Sequence, residues 1–236
     1  MKSAHRVTGV LLALVLVAGC ASTQVSNRQS RIGNERIPRP NRILVYDFGV
    51  SPRDVAIDSG LAGQYDPQQE PTQEQLEEGR ELGAEVAGDL AARINDMGIP
   101  AERATGGTVP QLNDIVIRGY FVSIDPGSAA KRLVIGFGAG AADLQTVVEG
   151  YQMTDQGLRK LGSGTVTASG AKGPGAAVPA AVAIATANPI GLIVTSAIKV
   201  QGEMSGRSTI KGRGEATAKT IAEQLKTRFE QQGWIQ

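Results

Sequence analysis

Cys20 is the only cysteine among 236 residues, so no internal disulfide can staple this chain and a packed core must hold whatever it folds into. Its position adds a second constraint. Lys2 and Arg6 form a basic start, Val10 to Ala18 is an apolar run, and Val17-Ala18-Gly19-Cys20 closes it. That is the layout of a bacterial lipoprotein signal, in which residues 1–19 are removed and the cysteine thiol is acylated. The apolar core is about ten residues, whereas a spanning helix needs ~20, so a transmembrane anchor is the weaker reading. Ala21, which follows the cysteine where an acidic residue would signal retention at the inner membrane, favours the outer membrane.

Cleavage at this point changes the chemistry available. Removing Lys2 and Arg6 takes the 24 basic residues to 22 against 23 acidic ones, a formal charge of −1. No field of one sign remains to attract nucleic acid or to steer a charged substrate. His5, the only histidine, leaves as well. A chain with neither histidine nor a free thiol cannot run Ser-His-Asp or Cys-His catalysis and lacks the ligands that dominate zinc sites. Asp54 and Asp58 lack the repeated acidic ligands and the glycine of a calcium loop and read as solvated loop carboxylates. The expectation is a protein that is not an enzyme and needs neither metal nor cofactor.

Ala21 to Asn41 is polar, with two prolines and almost no apolar periodicity, and reads as a flexible tether over residues 20–40. Residues 41–236 are then one periplasmic domain. Ile43 to Phe48 is a short apolar run between turn residues, the pattern of a buried strand. Thr72 and Gln75 fit a capping box, and Leu76, Gly79, Gly83, Val86, Leu90, Ile94 and Met97 recur at helical spacing until Gly98 and Pro100 stop them. Ile99 to Ala104 and Asp114 to Ile124 read as further strands. Leu144 to Met153 and Leu158 to Ser169 read as a hairpin turned at Thr154 to Gly157. A closing helix runs from about Thr217 to Gln231 and stops at Gly233. This order predicts an α/β chain of the α+β sandwich kind, a mixed sheet with packed helices in a single domain.

Two small-residue segments stand out. Gly136-Phe137-Gly138-Ala139-Gly140-Ala141 matches the G-x-G-x-x-G/A dinucleotide fingerprint, but only Ala142 and Asp143 separate it from the next strand, too few for the helix that motif must open. Lys131 and Arg132 beside Gly136, Gly138 and Gly140 leave two readings, a nest for a phosphate or acidic headgroup and a packing turn at a strand edge. The second segment, Gly173 to Ile198, holds 26 residues without a charge between Lys172 and Lys199. Pro174, Pro179 and Asn188-Pro189 interrupt it. It is readable as a buried Ala/Gly-rich helical hairpin inserted in the domain, as a membrane-dipping hairpin, or as a surface for self-association.

The lipobox at Cys20, the strands Arg42 to Phe48 and Asp114 to Ser123, the Lys131 to Gly140 block, Asn188-Pro189-Ile190-Gly191-Leu192 and the closing helix together resemble the bacterial lipoproteins catalogued as domain of unknown function 4410. That resemblance implies an envelope lipoprotein and transfers no activity or catalytic residue. A weaker likeness, in element order, is to the periplasmic domain of curli-secretion channel lipoproteins. Glu149, Arg159 and Lys160 within the hairpin argue against a pore-forming strand pair. The expected function is therefore a non-enzymatic outer-membrane lipoprotein, held to the membrane by acylated Cys20 and facing the periplasm. It binds another envelope protein or its own copies through Gly173 to Ile198. The alternatives are a ring-forming secretion or assembly component and a small-ligand carrier for phosphates or headgroups.

Overall fold

The computed structural model describes residues 22–62, 72–125, 143–169, 193–194 and 209–236. Their strands form one mixed sheet in the order β1-β6-β5-β4-β2-β3. β1 is Ser22–Ser30, β2 Ile43–Tyr46, β3 Ala101–Ala104, β4 Ile115–Asp125, β5 Asp143–Thr154 and β6 Gly157–Ser169. A two-residue strand, β7 (Ile193–Val194), pairs in parallel with β4 at Ser123 and Ile124. β2 runs parallel to both β3 and β4, whereas β4, β5, β6 and β1 are antiparallel neighbours. The α+β class with a mixed sheet is as the strand and helix periodicities predict.

Two helices, α1 (Gln73–Asp96) and α2 (Ile210–Gln232), supply the buried layer on one face of the sheet. α1 starts where the capping box predicts. Thr72 Oγ1 accepts from the Gln75 N–H at 3.3 Å, and Gln75 Oε1 accepts from the Thr72 N–H at 2.8 Å, satisfying two donors that the first turn leaves open. Its inward face carries Leu82, Val86, Leu90 and Ile94, which meet Ile43, Val45, Phe48, Ile115, Ile117 and Phe121 from the sheet in the main core.

Phe48 explains two glycines. A Cβ on Gly83 of α1 would lie 2.3 Å from the Phe48 carbonyl oxygen, and a Cβ on Gly119 of β4 would lie 2.3 Å from the Phe48 ring. The ring fills the volume that Gly119 leaves empty, and helix and strand approach until the Phe48 N–H donates to the Gly83 carbonyl at 3.3 Å.

Three expectations need correction. The tether over 20–40 is not one: Ser22–Ser30 is a strand, pairing with β6 from Ser22 opposite Ser169 to Ser30 opposite Gly162. The strand gives no apolar signal because it is an edge with little buried surface, and backbone hydrogen bonds hold it. Residues after it are pinned too. Gln232 takes the Ile37 N–H at 2.9 Å, Trp234 Nε1 donates to the Ile37 carbonyl at 3.2 Å, and Arg159 pairs with Glu35. The domain thus includes Ser22–Ser30 and does not start at residue 41.

α2, second, starts at Ile210, seven residues before the expected position. Its first turns carry Gly212 and Gly214, which lower helix propensity and mask the start. A Cβ on Gly214 would sit 3.0 Å from both Leu82 and Val86, so that glycine lets the two helices close on each other. The expected stop is present, with Gly233 in the left-handed region at φ 75°. Third, of the helical hairpin expected over 173–198, only Ile193–Val194 is described, and these two residues are extended in the sheet.

Candidate functional site

On the face of the sheet away from the helices, period-two alternation brings Arg118 and Tyr120 of β4, Glu149 and Tyr151 of β5 and Lys160 of β6 together. Arg118 stands opposite Glu149 in register, and Tyr151 opposite Lys160. The loop after β2 closes over them. Glu149, only 1 % exposed, pairs with Lys160 Nζ, accepts from the Tyr151 hydroxyl at 2.8 Å and accepts from the Gly60 N–H at 2.9 Å. Arg118 bonds Asp58 at 2.8 Å, and its guanidinium stands 5.2 Å from the centre of the Tyr151 ring.

Burial alone would raise the Glu149 pKa, but hydrogen bonds from Lys160, Ser59, Gly60 and Tyr151 outweigh it and hold the carboxyl below its ordinary value. Burial, then the adjacent Glu149, pushes Tyr151 far above the ordinary phenol range. The result is an ionised carboxylate whose oxygens are already engaged and a phenol that keeps its proton. Neither is poised to exchange protons near neutrality. The cluster acts as a clasp that ties the 57–62 loop to the sheet. No group of three or more potential metal ligands occurs among the described residues.

A second place is concave. Between α2 and the β1, β6 and β5 part of the sheet lies a cleft of about 510 Å³. Val25, Ile32, Val148, Leu161 and Leu225, all half-buried, supply apolar walls, and Gly150, Gly162 and Gly164 lie along the sheet side. Arg28 and Arg228 also line it, and among the described residues no carboxylate does. The volume falls within the ~300–1,000 Å³ common for small-molecule sites.

The third place is one end of the sheet. Ser22 of β1, Ser169 of β6, Asp143 of β5 and Asp125 of β4 are successive register partners. At ~4.8 Å between strands, the row is roughly 15 Å wide. Cys20 precedes it by two residues, residues 126–142 connect two of its members, and residues 170–208 begin at a third. β7 adds a strand beside the same end of β4. α2 also arrives here: buried Arg213 donates from Nη1 to the Ser169 carbonyl at 2.7 Å. Burial lowers the Arg213 pKa, and the Asp143 charge opposes that shift.

Cys20, Lys131, Arg132, Gly136, Gly138 and Gly140 lie outside the described residues, as does most of the 173–198 segment. Asp58 proves to be an ion-pair partner of Arg118 rather than a free loop carboxylate. Asp54 accepts from the N–H groups of Val50 and Ser51, which closes the short turn Pro52–Asp54. Sequence reasoning missed the Glu149 clasp and the cleft. Their faint signals are charges at strand-interior positions 149 and 160, and glycines at 150, 162 and 164 in strands that have no turn there. No helix among the described residues is long and apolar enough to cross a membrane.

The family described as Domain of unknown function (DUF4410) matches residues 43–187. Among solved structures, a PelC dodecamer from Paraburkholderia phytofirmans is similar at 11 % identity with a TM-score of 0.36, covering 64 % of this chain and 82 % of that one. A dodecamer of a single-substitution variant of PelC, from the same organism, gives 14 % identity and a TM-score of 0.35, with 63 % and 81 % covered. No curated protein matches.

Proposed function

The chain belongs to the DUF4410 family, and from that premise we propose that it is a non-enzymatic, acyl-anchored lipoprotein of the bacterial outer membrane that binds or assembles with another envelope protein. The observation that carries this reading is the row Ser22, Ser169, Asp143 and Asp125. An acyl group on Cys20 holds that end of the sheet against the bilayer. The same end roots the Lys131 to Gly140 block and the uncharged stretch Gly173 to Ile198. Both segments thus join the described sheet where a membrane-bound partner is within reach.

The test replaces residues 174–192 by a Gly/Ser linker of equal length and, separately, Cys20 by alanine, and follows cross-linking of the protein in native envelopes. Loss of a defined cross-linked partner in both variants is expected, with the melting temperature of the linker variant unchanged within about 2 °C. Retention of that partner by either variant refutes the reading. Light scattering of the detergent-solubilised protein addresses the ring-forming alternative, which a strict monomer excludes.

A further inference from the structure

We propose that the cleft between α2 and the sheet binds a single-chain anionic amphiphile, a long-chain fatty acid. The argument begins at Gly150. A glycine within a strand weakens it, and where it persists it marks a backbone requirement or a close approach. Gly150 has no positive φ, and a Cβ built on it would meet nothing within 4 Å. The β5–β6 register slips beside it, between Gly150 and Tyr151, but neither a left-handed backbone nor a close neighbour demands glycine there. Gly162 differs, because its Cβ would fall 2.5 Å from the Gln29 carbonyl. What Gly150 preserves is space, and that space belongs to the cleft.

The walls define the chemistry of an occupant. Val25, Val148, Leu161 and Leu225 offer an apolar cleft whose 510 Å³ would hold little more than one turn of a helix, which is ~10 Å across with its side chains. Burial of each methylene there is worth ~0.8 kcal/mol. Among the described residues, the charged lining groups are Arg28 and Arg228. Both are exposed, and neither makes an ion pair among the described residues; Arg228 donates to Gln231 at 3.1 Å. Two guanidinium groups on the lining, with no acidic lining residue among the described ones, suit an anionic head. An alkyl chain fits the walls and its anionic head fits the rim.

The experiment measures palmitate binding to the full chain and to its Cys20→Ala form by displacement of a fluorescent fatty acid, with dodecylamine as a cationic control. Saturable binding of one palmitate in both forms is expected, with no displacement by dodecylamine. Gly150→Val places methyls in the open space and should reduce affinity at least tenfold while the melting temperature holds or rises. Leu225→Trp, which narrows the cleft from the helix side, should do the same if Gly150→Val fails to fold. Arg28→Gln with Arg228→Gln should weaken palmitate about tenfold or more and abolish the preference over dodecylamine. Unchanged binding in a folded cleft-filling variant overturns the proposal, as does non-saturable uptake. Binding only by the Cys20→Ala form would overturn it too, assigning the cleft to the chain's own acyl group.

Discussion

Replacing Gly83 by alanine sets two effects of known size against each other. Alanine inside a helix is worth about 1 kcal/mol over glycine, so propensity alone predicts a more stable protein. The new Cβ, however, would lie 2.3 Å from the Phe48 carbonyl oxygen and 3.2 Å from the Phe48 amide nitrogen, both backbone atoms that cannot rotate away. Relieving that contact means separating α1 from the chain after β2, which also breaks the Phe48 N–H bond to the Gly83 carbonyl. Overpacking typically costs ~1–3 kcal/mol and a lost hydrogen bond ~1 kcal/mol, so the clash wins by about 1–3 kcal/mol. Gly88 is the internal control. It lies in the same helix, and a Cβ there meets nothing within 4 Å, so Gly88→Ala should gain up to ~1 kcal/mol. Urea denaturation followed by circular dichroism reads both, with similar slopes expected for the two variants. In melting temperature the pair should diverge, Gly83→Ala falling by about 3–10 °C and Gly88→Ala rising by ~2–4 °C. A Gly83→Ala protein as stable as the parent would refute the close approach of α1 to Phe48.

Lys160→Met should cost about 1–3 kcal/mol, because it strips one donor from buried Glu149 while Tyr151 and Gly60 still bond it; hydrogen exchange should speed up first at Gly60 and Leu61. Glu149 also gives a pH dependence. Its carboxyl titrates lower folded than unfolded, so its contribution is complete above the ordinary glutamate range near ~4.3 and is lost as pH falls through the depressed folded value. Urea midpoints from pH 7 to pH 3 should decline at the acid end, and the decline should be shallower in Glu149→Gln. Thr72→Ala removes the side-chain cap of α1 and should cost ~1 kcal/mol, with thermal melts as the readout.

The elements that were legible are those whose signal is local. The Thr72–Gln75 capping box, the turn at Asp155 and Gln156 and the Gly233 stop each involve residues a few positions apart, and each is found where expected. β1 is different: Val25 is the only apolar residue among its nine, and only β6, far along the chain, makes it a strand. The start of α2 was masked for a related reason, since Gly214 is set by packing on Leu82 and Val86, not by its neighbours. The clasp required knowing that Arg118 faces Glu149 and that Tyr151 faces Lys160. Register between strands is a tertiary fact, and a one-residue slip would have scattered these groups onto opposite faces.

The pairing of Ser22 with Ser169 also sets an order of events in time. Contacts between residues far apart in sequence pay the largest loop-closure entropy and form late. A chain that emerges N-terminus first therefore carries residues 22–30 unpaired until β5 and β6 have formed, and the edge of β6 stays open for the same interval. The last strand to dock is the one that leads directly to Cys20, so the acylation proposed for that cysteine would not have to wait for the domain. Slowing β1 docking, for instance by proline at Val25, should lengthen the life of the open β6 edge and raise aggregation during refolding before it changes the folding rate of the β4-β5-β6 core.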